Sequence, residues 1–395
     1  MKRILLASAA TVAATAAFAD GHSPVNVGIS LGFTGPLESL AGPMAAAAEM
    51  AMQEVSDSGA LLDGTTVAPV RADSTCIDAA AATAAVERLV TSDGVVGIVG
   101  GMCSGETGAT LQNVALPNGI VMVSPSATSP GLSTVEDNGL FFRTSPSDAR
   151  QGVVIAEALL DRGIETVAVT YTNNDYGKGL ADAFQASYEE RGGSVTINAA
   201  HEDGKADYSA EVGALSAAGG DMLVVAGYVD QGGSGIVRAA LDTGAFDQFY
   251  FPDGMVSQAL IDNFGSEIDG SMGANPSPSE ELGGRFTDYV GGAFDATEAF
   301  APEAYDAAAL IMLAMQASGS TDPNAYKDSI MDVANAPGEE IFPGELEKGL
   351  QILADGGEID YVGASGVELI GPGEAAGSYR EITFEGGEEQ VVGYR

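Results

Sequence analysis

The chain of 395 residues has no Trp, two Cys, two His, and only 16 Lys and Arg against 56 Asp and Glu. Each scarcity excludes something. At a formal net charge of −40 there is no basic patch to release counterions from phosphates, which excludes a nucleic-acid partner. The same charge excludes docking on an anionic membrane surface. The two His, His22 and His201, are scattered, and neither an HExxH pattern nor an EF-hand spacing occurs, so no metal site is expected. The run Gly371-Pro372-Gly373 neither follows a clear strand nor opens a helix, so no dinucleotide cofactor is expected either. No apolar stretch reaches the ~20 residues that a membrane span needs. What is there is globular: 45% hydrophobic and 18% charged residues, at a length that suggests about two domains.

The first nineteen residues read as an address. Met1-Lys2-Arg3 is a positive start, Ile4 to Phe18 is a short apolar run, and Ala17-Phe18-Ala19 has the small-x-small cleavage pattern. Residues 1–19 are therefore expected to be a signal peptide, with the mature chain starting at Asp20 and exported to the periplasm. Removing Lys2 and Arg3 takes the net charge from −40 to −42. In an oxidising compartment Cys76 and Cys103, 27 positions apart, are expected to join. Closing that loop would stabilise the fold by about 3 kcal/mol. The alternative is a pair of buried free thiols.

Short apolar runs alternate with helix-like segments, the pattern of parallel α/β units. Strands are expected at Val25–Ser30, Thr66–Arg71, Val95–Val99 and Ile120–Ser124, then at Thr166–Tyr171, Ser194–Ala199, Met222–Ala226 and Phe249–Phe251. Two such series predict two α/β lobes of like architecture. The stretch Gly265–Gly284, with Pro276 and Pro278, reads as a linker. Helices follow near Leu282–Val290, Ala301–Ala317 and Asn324–Val333, and a mixed tail from Glu340 to Arg395 completes the two lobes. A chain that crosses more than once between two lobes makes a hinge, and a hinge makes a ligand cleft.

Ligands of open α/β sheets bind beyond the carboxyl ends of the strands. After Val99 come Gly100 and Gly101, then Ser104 where a helix N-cap belongs, a cradle for a carboxylate. After Val123 comes the hydroxyl-rich Ser124-Pro125-Ser126-Ala127-Thr128-Ser129. The second series presents Tyr176, Tyr228 and Asp253 at the same edge. Asp253 can pair with an ammonium, and the tyrosines can wall the substituent. No Arg is evident at these strand ends, so neutral donors would hold the anion. Donors for a carboxylate facing an acid for an ammonium are what a zwitterionic amino acid requires.

These residues resemble the type I periplasmic solute-binding proteins of the branched-chain amino-acid ABC transporter group. The pieces that carry the resemblance are Leu31-Gly32-Phe33-Thr34-Gly35-Pro36, Asp73-Ser74-Thr75-Cys76, Gly100-Gly101-Met102-Cys103-Ser104 and Ser124-Pro125-Ser126-Ala127-Thr128. Phe142-Arg143-Thr144, Asn174-Asp175-Tyr176-Gly177-Lys178-Gly179, Pro302-Glu303-Ala304-Tyr305-Asp306-Ala307-Ala308 and Ile359-Asp360-Tyr361-Val362-Gly363-Ala364-Ser365-Gly366 continue it along the mature chain. The resemblance implies two Rossmann-like lobes with parallel sheets joined by a three-crossover hinge. Lobe 1 would hold 20–142 and 273–372, and lobe 2 would hold 143–272 and 373–395. It also implies that Ser104, the backbone of Ser126, and Thr128 meet the ligand carboxylate, that Tyr176 and Tyr228 face it, and that Asp253 meets the ammonium. Leu40 and Tyr305 would complete the ligand-binding set, and the Cys76–Cys103 disulfide is shared with the amino-acid branch.

Two departures bear on selectivity. Asp253 is one methylene shorter than the Glu often found there, and the position near Leu40 is aliphatic rather than aromatic. The implied function is the substrate-binding component of an ABC importer: a monomer that takes no cofactor and delivers a small solute to permease and ATPase subunits. The alternatives are a non-amino-acid carboxylate or amide as ligand, or a sensor reporting to a membrane receptor. An enzyme is not expected. The one Gly-x-Ser-x-Gly match, Gly28 to Gly32, lacks the immediate helix that a nucleophile elbow needs.

Overall fold

The computed structural model describes residues 24–395. The expected signal peptide and the start at Asp20 lie outside the described residues. The first strands are β1 (Val25–Leu31), β2 (Val67–Asp73), β3 (Val95–Gly100), β4 (Met122–Ser124) and β5 (Phe141–Arg143). The second series is β6 (Thr166–Thr172), β7 (Ser194–His201), β8 (Met222–Ala226), β9 (Phe249–Phe251) and β10 (Met272–Pro276). The tail adds β11 (Glu339–Ile341), β12 (Ile359–Tyr361), β13 (Leu369–Ile370), β14 (Glu374–Ala375), β15 (Tyr379–Glu385) and β16 (Glu388–Tyr394).

Two seven-stranded sheets result, in the orders β13-β14-β5-β4-β3-β1-β2 and β16-β15-β10-β9-β8-β6-β7, with β11 and β12 as a separate parallel pair. Strands β1 to β5 are mutually parallel, as are β6 to β10, with helices on their faces. Such strands are covered on both sides, so central ones read as continuous apolar runs. Every residue of β8, Met-Leu-Val-Val-Ala, is buried. Under the first sheet the helix Glu38–Ser58 packs on the helix Ala301–Ser318. Ala45, Ala47, Ala48 and Ala51 on one, and Ala304, Ala307 and Ala308 on the other, are fully buried, and small side chains let the two backbones approach closely. Ala301 to Gln316 are all buried, so this largely apolar helix is enclosed on every side, with Glu303 and Asp306 among its buried residues.

The chain passes between the sheets three times: after β5, after β10, and between β14 and β15. The three connections lie side by side. Ser277 N donates to Ser378 O at 3.0 Å, and Gly377 packs on Pro146. This is the hinge that the repeated crossing predicts.

The linker expected at Gly265–Gly284 is corrected. It holds β10, a buried strand between β9 and β15. Its Gly and Pro have positional reasons. A Cβ on Gly273 would lie 2.7 Å from Phe251 O, and Pro276 closes the strand, where a ladder donor is dispensable. β10 straddles residue 273 yet lies wholly in the second sheet, while β14 pairs with β5 in the first. The helix read at Asn324–Val333 is two four-residue helical turns joined by a tighter one.

Candidate functional site

The carboxyl ends of the two parallel series face each other. The lobes touch there: Ser39 N donates to Asp230 Oδ2 at 2.9 Å, and Asp230 N donates to Pro36 O at 3.1 Å. A crevice of about 380 Å³ runs between Cys76, Ile77 and Gly105 on one side and Thr172, Asn174 and Asp203 on the other.

On the first lobe, β3 ends in Gly100 at φ 137°, where a Cβ would lie 2.3 Å from Ser30 O. Only glycine fits so sharp a turn. The chain then enters the helix Ser104–Thr110, with Cys103 as its N-cap. Ser104 is thus the first helical residue rather than the cap, one position from expectation. Cys103 is disulfide-bonded to Cys76, with their Cα atoms 5.2 Å apart. Buried Glu106 braces the turn by accepting from Met102 N at 2.8 Å, Cys103 N at 3.2 Å and Ser74 Oγ at 3.1 Å. Burial pushes Glu106 up to about 7.

The hydroxyl-rich loop after β4 locks onto that turn. Ser126 Oγ donates to Met102 O at 2.8 Å, and Ser129 N donates to Ser104 Oγ at 3.0 Å. The Thr128 hydroxyl is buried and makes no well-formed hydrogen bond among the described residues. An Arg does lie beneath this loop, contrary to the reading of the strand ends. Arg143 is 1% exposed and donates to Ala127 O and Ser129 O, both at 2.9 Å, and to Glu374 at 2.6 Å. Its donors hold the loop's carbonyls in place, so they are already engaged; the hydroxyl and backbone donors above it are neutral.

On the second lobe, Tyr176 lies in the first turn of the helix Asp175–Glu190. Asn174 caps that helix by accepting from Gly177 N at 3.0 Å, and its amide donates to the Tyr228 hydroxyl at 3.3 Å. The Tyr176 and Tyr228 rings stack with centroids 5.2 Å apart and planes 10° apart. The Tyr176 hydroxyl donates to Asp253 Oδ1 at 2.6 Å and accepts from Gly254 N at 3.1 Å. A Cβ on Gly254 would lie 2.7 Å from that hydroxyl, so glycine admits the contact. Asp253 is 1% exposed, and burial pushes it up to about 6 against the pull of these hydrogen bonds. Burial raises both phenols well above their usual range, so both stay protonated donors.

Two residues that sequence reasoning missed stand behind Asp253. Asp148 and Gln151, in the first turn of the helix Asp148–Asp161, are fully buried. With its amide nitrogen turned to the acids, Gln151 donates to Asp253 Oδ1 at 3.2 Å and to Asp148 Oδ1 at 3.3 Å, and its oxygen accepts from Asp253 N at 3.3 Å. Burial, then the Asp253 charge, lifts Asp148 well above the usual carboxylate range, while Arg143 and the Thr128 hydroxyl draw it down. Asp148 Oδ2 and the Tyr379 hydroxyl have no partner among the described residues. The signal was present in Ser145-Pro146-Ser147-Asp148, a cap sequence beyond a strand end. The strand itself, Phe141–Arg143, is too short to read as one.

The structure brings Ser104, Ser126, Thr128, Tyr176, Tyr228 and Asp253 to these facing edges. Leu40 is fully buried in the core, one residue from the interlobe contact of Ser39. Tyr305 is placed elsewhere. It packs on Phe286 and Tyr289, and its hydroxyl donates to Glu54 in the first-lobe core. His201 is buried beside the Thr170 hydroxyl and pushed down to about 4 by burial, so it is neutral. Among the described residues no three potential metal ligands cluster, and no helix is long and apolar enough to cross a membrane.

Comparison with known proteins gives one consistent answer. Residues 24–340 match the family described as periplasmic binding protein. A Leu/Ile/Val-binding protein homolog 1 from Brucella melitensis is 30% identical over 332 residues, covering 82% of this chain and 86% of that one. The crystal structure of a leucine binding protein, LivK, from Thermotoga maritima superposes with a TM-score of 0.78 at 21% identity, covering 94% of this chain and 98% of that one. A solute binding protein of an ABC transporter from R. palustris, solved with benzoate, gives 0.76 at 16% identity, covering 94% of this chain and 96% of that one.

Proposed function

From the premise that the chain belongs to the periplasmic binding protein family, we propose that it is the substrate-binding component of an ABC importer for an aliphatic, branched-chain type of amino acid. One observation carries the amino-acid reading. The buried Asp253 carboxylate of the second lobe and the Thr128 hydroxyl of the first-lobe loop both lie beside Asp148, so an acid and neutral hydroxyl donors converge where the lobes meet. An α-amino acid supplies both complementary charges, and only a molecule touching both edges favours their approach. Binding then shifts the hinge toward the closed form, which a permease recognises. Residues 1–19 serve as the export signal to the periplasm, and the protein works there as a monomer. Translocation and ATP hydrolysis belong to partner chains; this chain is a binding protein and catalyses nothing.

The test is Asp253→Asn in titration calorimetry with a panel of proteinogenic L-amino acids. Loss of the buried partner should weaken binding by about 2–5 kcal/mol. An unchanged Kd removes Asp253 from the site. A second reading, an amide or an aromatic or other carboxylate as solute, draws on the Tyr176 and Gly254 donors that satisfy Asp253 without any ammonium. Melting-temperature shifts with benzoate or amides, and none with amino acids, would favour it.

A further inference from the structure

We propose that Asp148 and Asp253 hold a single proton between them and that the ammonium of an amino-acid ligand displaces it, so that capture releases a proton to solvent. The proposal rests on the amino-acid reading above and deepens it by naming Asp148 as a second anionic arm of the ammonium pocket.

The geometry is a bridged pair. With the Gln151 amide oriented so that both of its ends are satisfied, its nitrogen lies within hydrogen-bond reach of both Asp148 Oδ1 and Asp253 Oδ1. Both carboxylates are buried, one at the end of the second-lobe cleft wall and one at the first turn after the hinge crossing. Two buried carboxylates that share one donor repel each other when both are ionised, and such a pair titrates as a unit.

The buried cation beside the pair is already committed to other groups. From β5 the pair faces Arg143, which is already bonded to Glu374 and two backbone carbonyls. From its own helix comes Arg150, whose charge acts on the neighbouring Tyr379 of β15 together with both acids. The loop after β4 offers the neutral Thr128 hydroxyl. Tyr176 and Tyr228 face the pair from the second lobe as neutral phenols, and Asp203 adds a further negative charge beyond Tyr228. The raised positions of both acids agree with one retained proton.

Acceptors for a replacing cation are in place. Asp148 Oδ2 has no hydrogen bond of good geometry, the Thr128 hydroxyl beside Asp148 keeps lone pairs to offer, and the hydrogen bonds to the Asp253 side chain end on Oδ1, leaving Oδ2. An ammonium carries three donors. The balance is simple: the singly protonated pair plus an ammonium becomes the doubly ionised pair plus that ammonium, and the proton leaves to water. No covalent bond in the ligand changes.

The experiment is calorimetry of the purified exported protein with L-leucine, L-alanine and L-glutamate at pH 6, in phosphate and in Bis-Tris. These buffers differ in ionisation enthalpy, so a released proton changes the observed heat. The expected result is up to one proton released per ligand, and an affinity that rises about tenfold per pH unit on the acid limb between pH 5 and 6. In Asp148→Asn the buffer dependence and the pH slope should collapse. Equal heats in both buffers and a flat Kd for a bound amino acid overturn the proposal while leaving the amino-acid reading intact. Proton release that survives Asp148→Asn overturns it as well, by assigning the proton elsewhere. 2-Hydroxyisocaproate, which lacks the ammonium, should release none if it binds. No binding by any amino acid, with carboxylates bound instead, overturns the amino-acid reading itself.

Discussion

The Tyr176 hydroxyl lies 2.6 Å from Asp253 Oδ1 and donates to it. Tyr176 reaches the contact from the first turn of a helix after β6, and Asp253 from the turn after β9, so two strand ends of one sheet meet at this phenol, which also accepts from Gly254 N. A phenol donating to a buried acid stabilises its charged form, the form an ammonium needs.

Tyr176→Phe removes that donor. Amino-acid binding should weaken by about 1.5–3 kcal/mol, the range for a hydrogen bond to a charged group. The loss should be greater at pH 5.5 than at pH 7.5, because without the phenol Asp253 titrates higher. Calorimetry at the two pH values measures both effects. A Kd equal to wild type at both values would show that the contact does not support binding.

The Cys76–Cys103 disulfide holds the turn that presents Ser104. The double variant Cys76→Ser with Cys103→Ser should lose about 3 kcal/mol of stability. It should also bind more weakly, because Met102 and Ser104 anchor the Ser126–Ser129 loop. Thermal melts and titrations separate the two effects. A lowered melting temperature with an unchanged Kd would assign the disulfide to stability alone.

Tyr305 is tied into the first-lobe core. Its hydroxyl and that of Tyr289 donate to Glu54, which also accepts from Gly344 N at 3.1 Å and Leu346 N at 2.8 Å. Tyr305→Phe should cost on the order of 1–2 kcal/mol of stability and leave ligand affinity unchanged. A several-fold change in Kd at constant stability would return Tyr305 to the ligand site.

Burial pushes Glu303 up to about 8 and Glu106 up to about 7. A carboxyl raised on folding contributes stability that is complete below its unfolded pKa and lost as pH rises through the folded one. His201, pushed down to about 4 by burial, works the other way: its contribution is complete above the unfolded value of 6.5 and lost as pH falls. Between pH 6.5 and 8.5 only the carboxyls act, so the melting temperature should fall across that window. Glu303→Gln should flatten the decline, and a wild-type profile flat over the window would refute the assignment.

Much of the candidate site is legible in the chain because strand ends are legible. Apolar runs such as Met222–Ala226 mark buried parallel strands, and whatever follows them must lie at the sheet's edge. That logic reaches Ser104, Thr128, Tyr176, Tyr228 and Asp253. It fails where the local pattern is weak. The three-residue strand Phe141–Arg143 has no period to detect, and with it Asp148 and Gln151 are missed. The strand Met272–Pro276 carries Gly and Pro for reasons of close packing and strand ending, and so reads as a linker.

The sequence by itself determined the α/β class, the two series of strands, the crossing of the chain between lobes, and the residue types at the strand ends. Those depend on periodicity and chain order, which are local. Only the tertiary structure decided that Arg143 engages its donors beneath the loop, that Tyr305 belongs to Glu54, and that Gln151 bridges two acids more than a hundred positions apart. Hydrogen bonds and charge coupling depend on distances of a few ångströms between groups remote in the chain, and folding alone sets those distances.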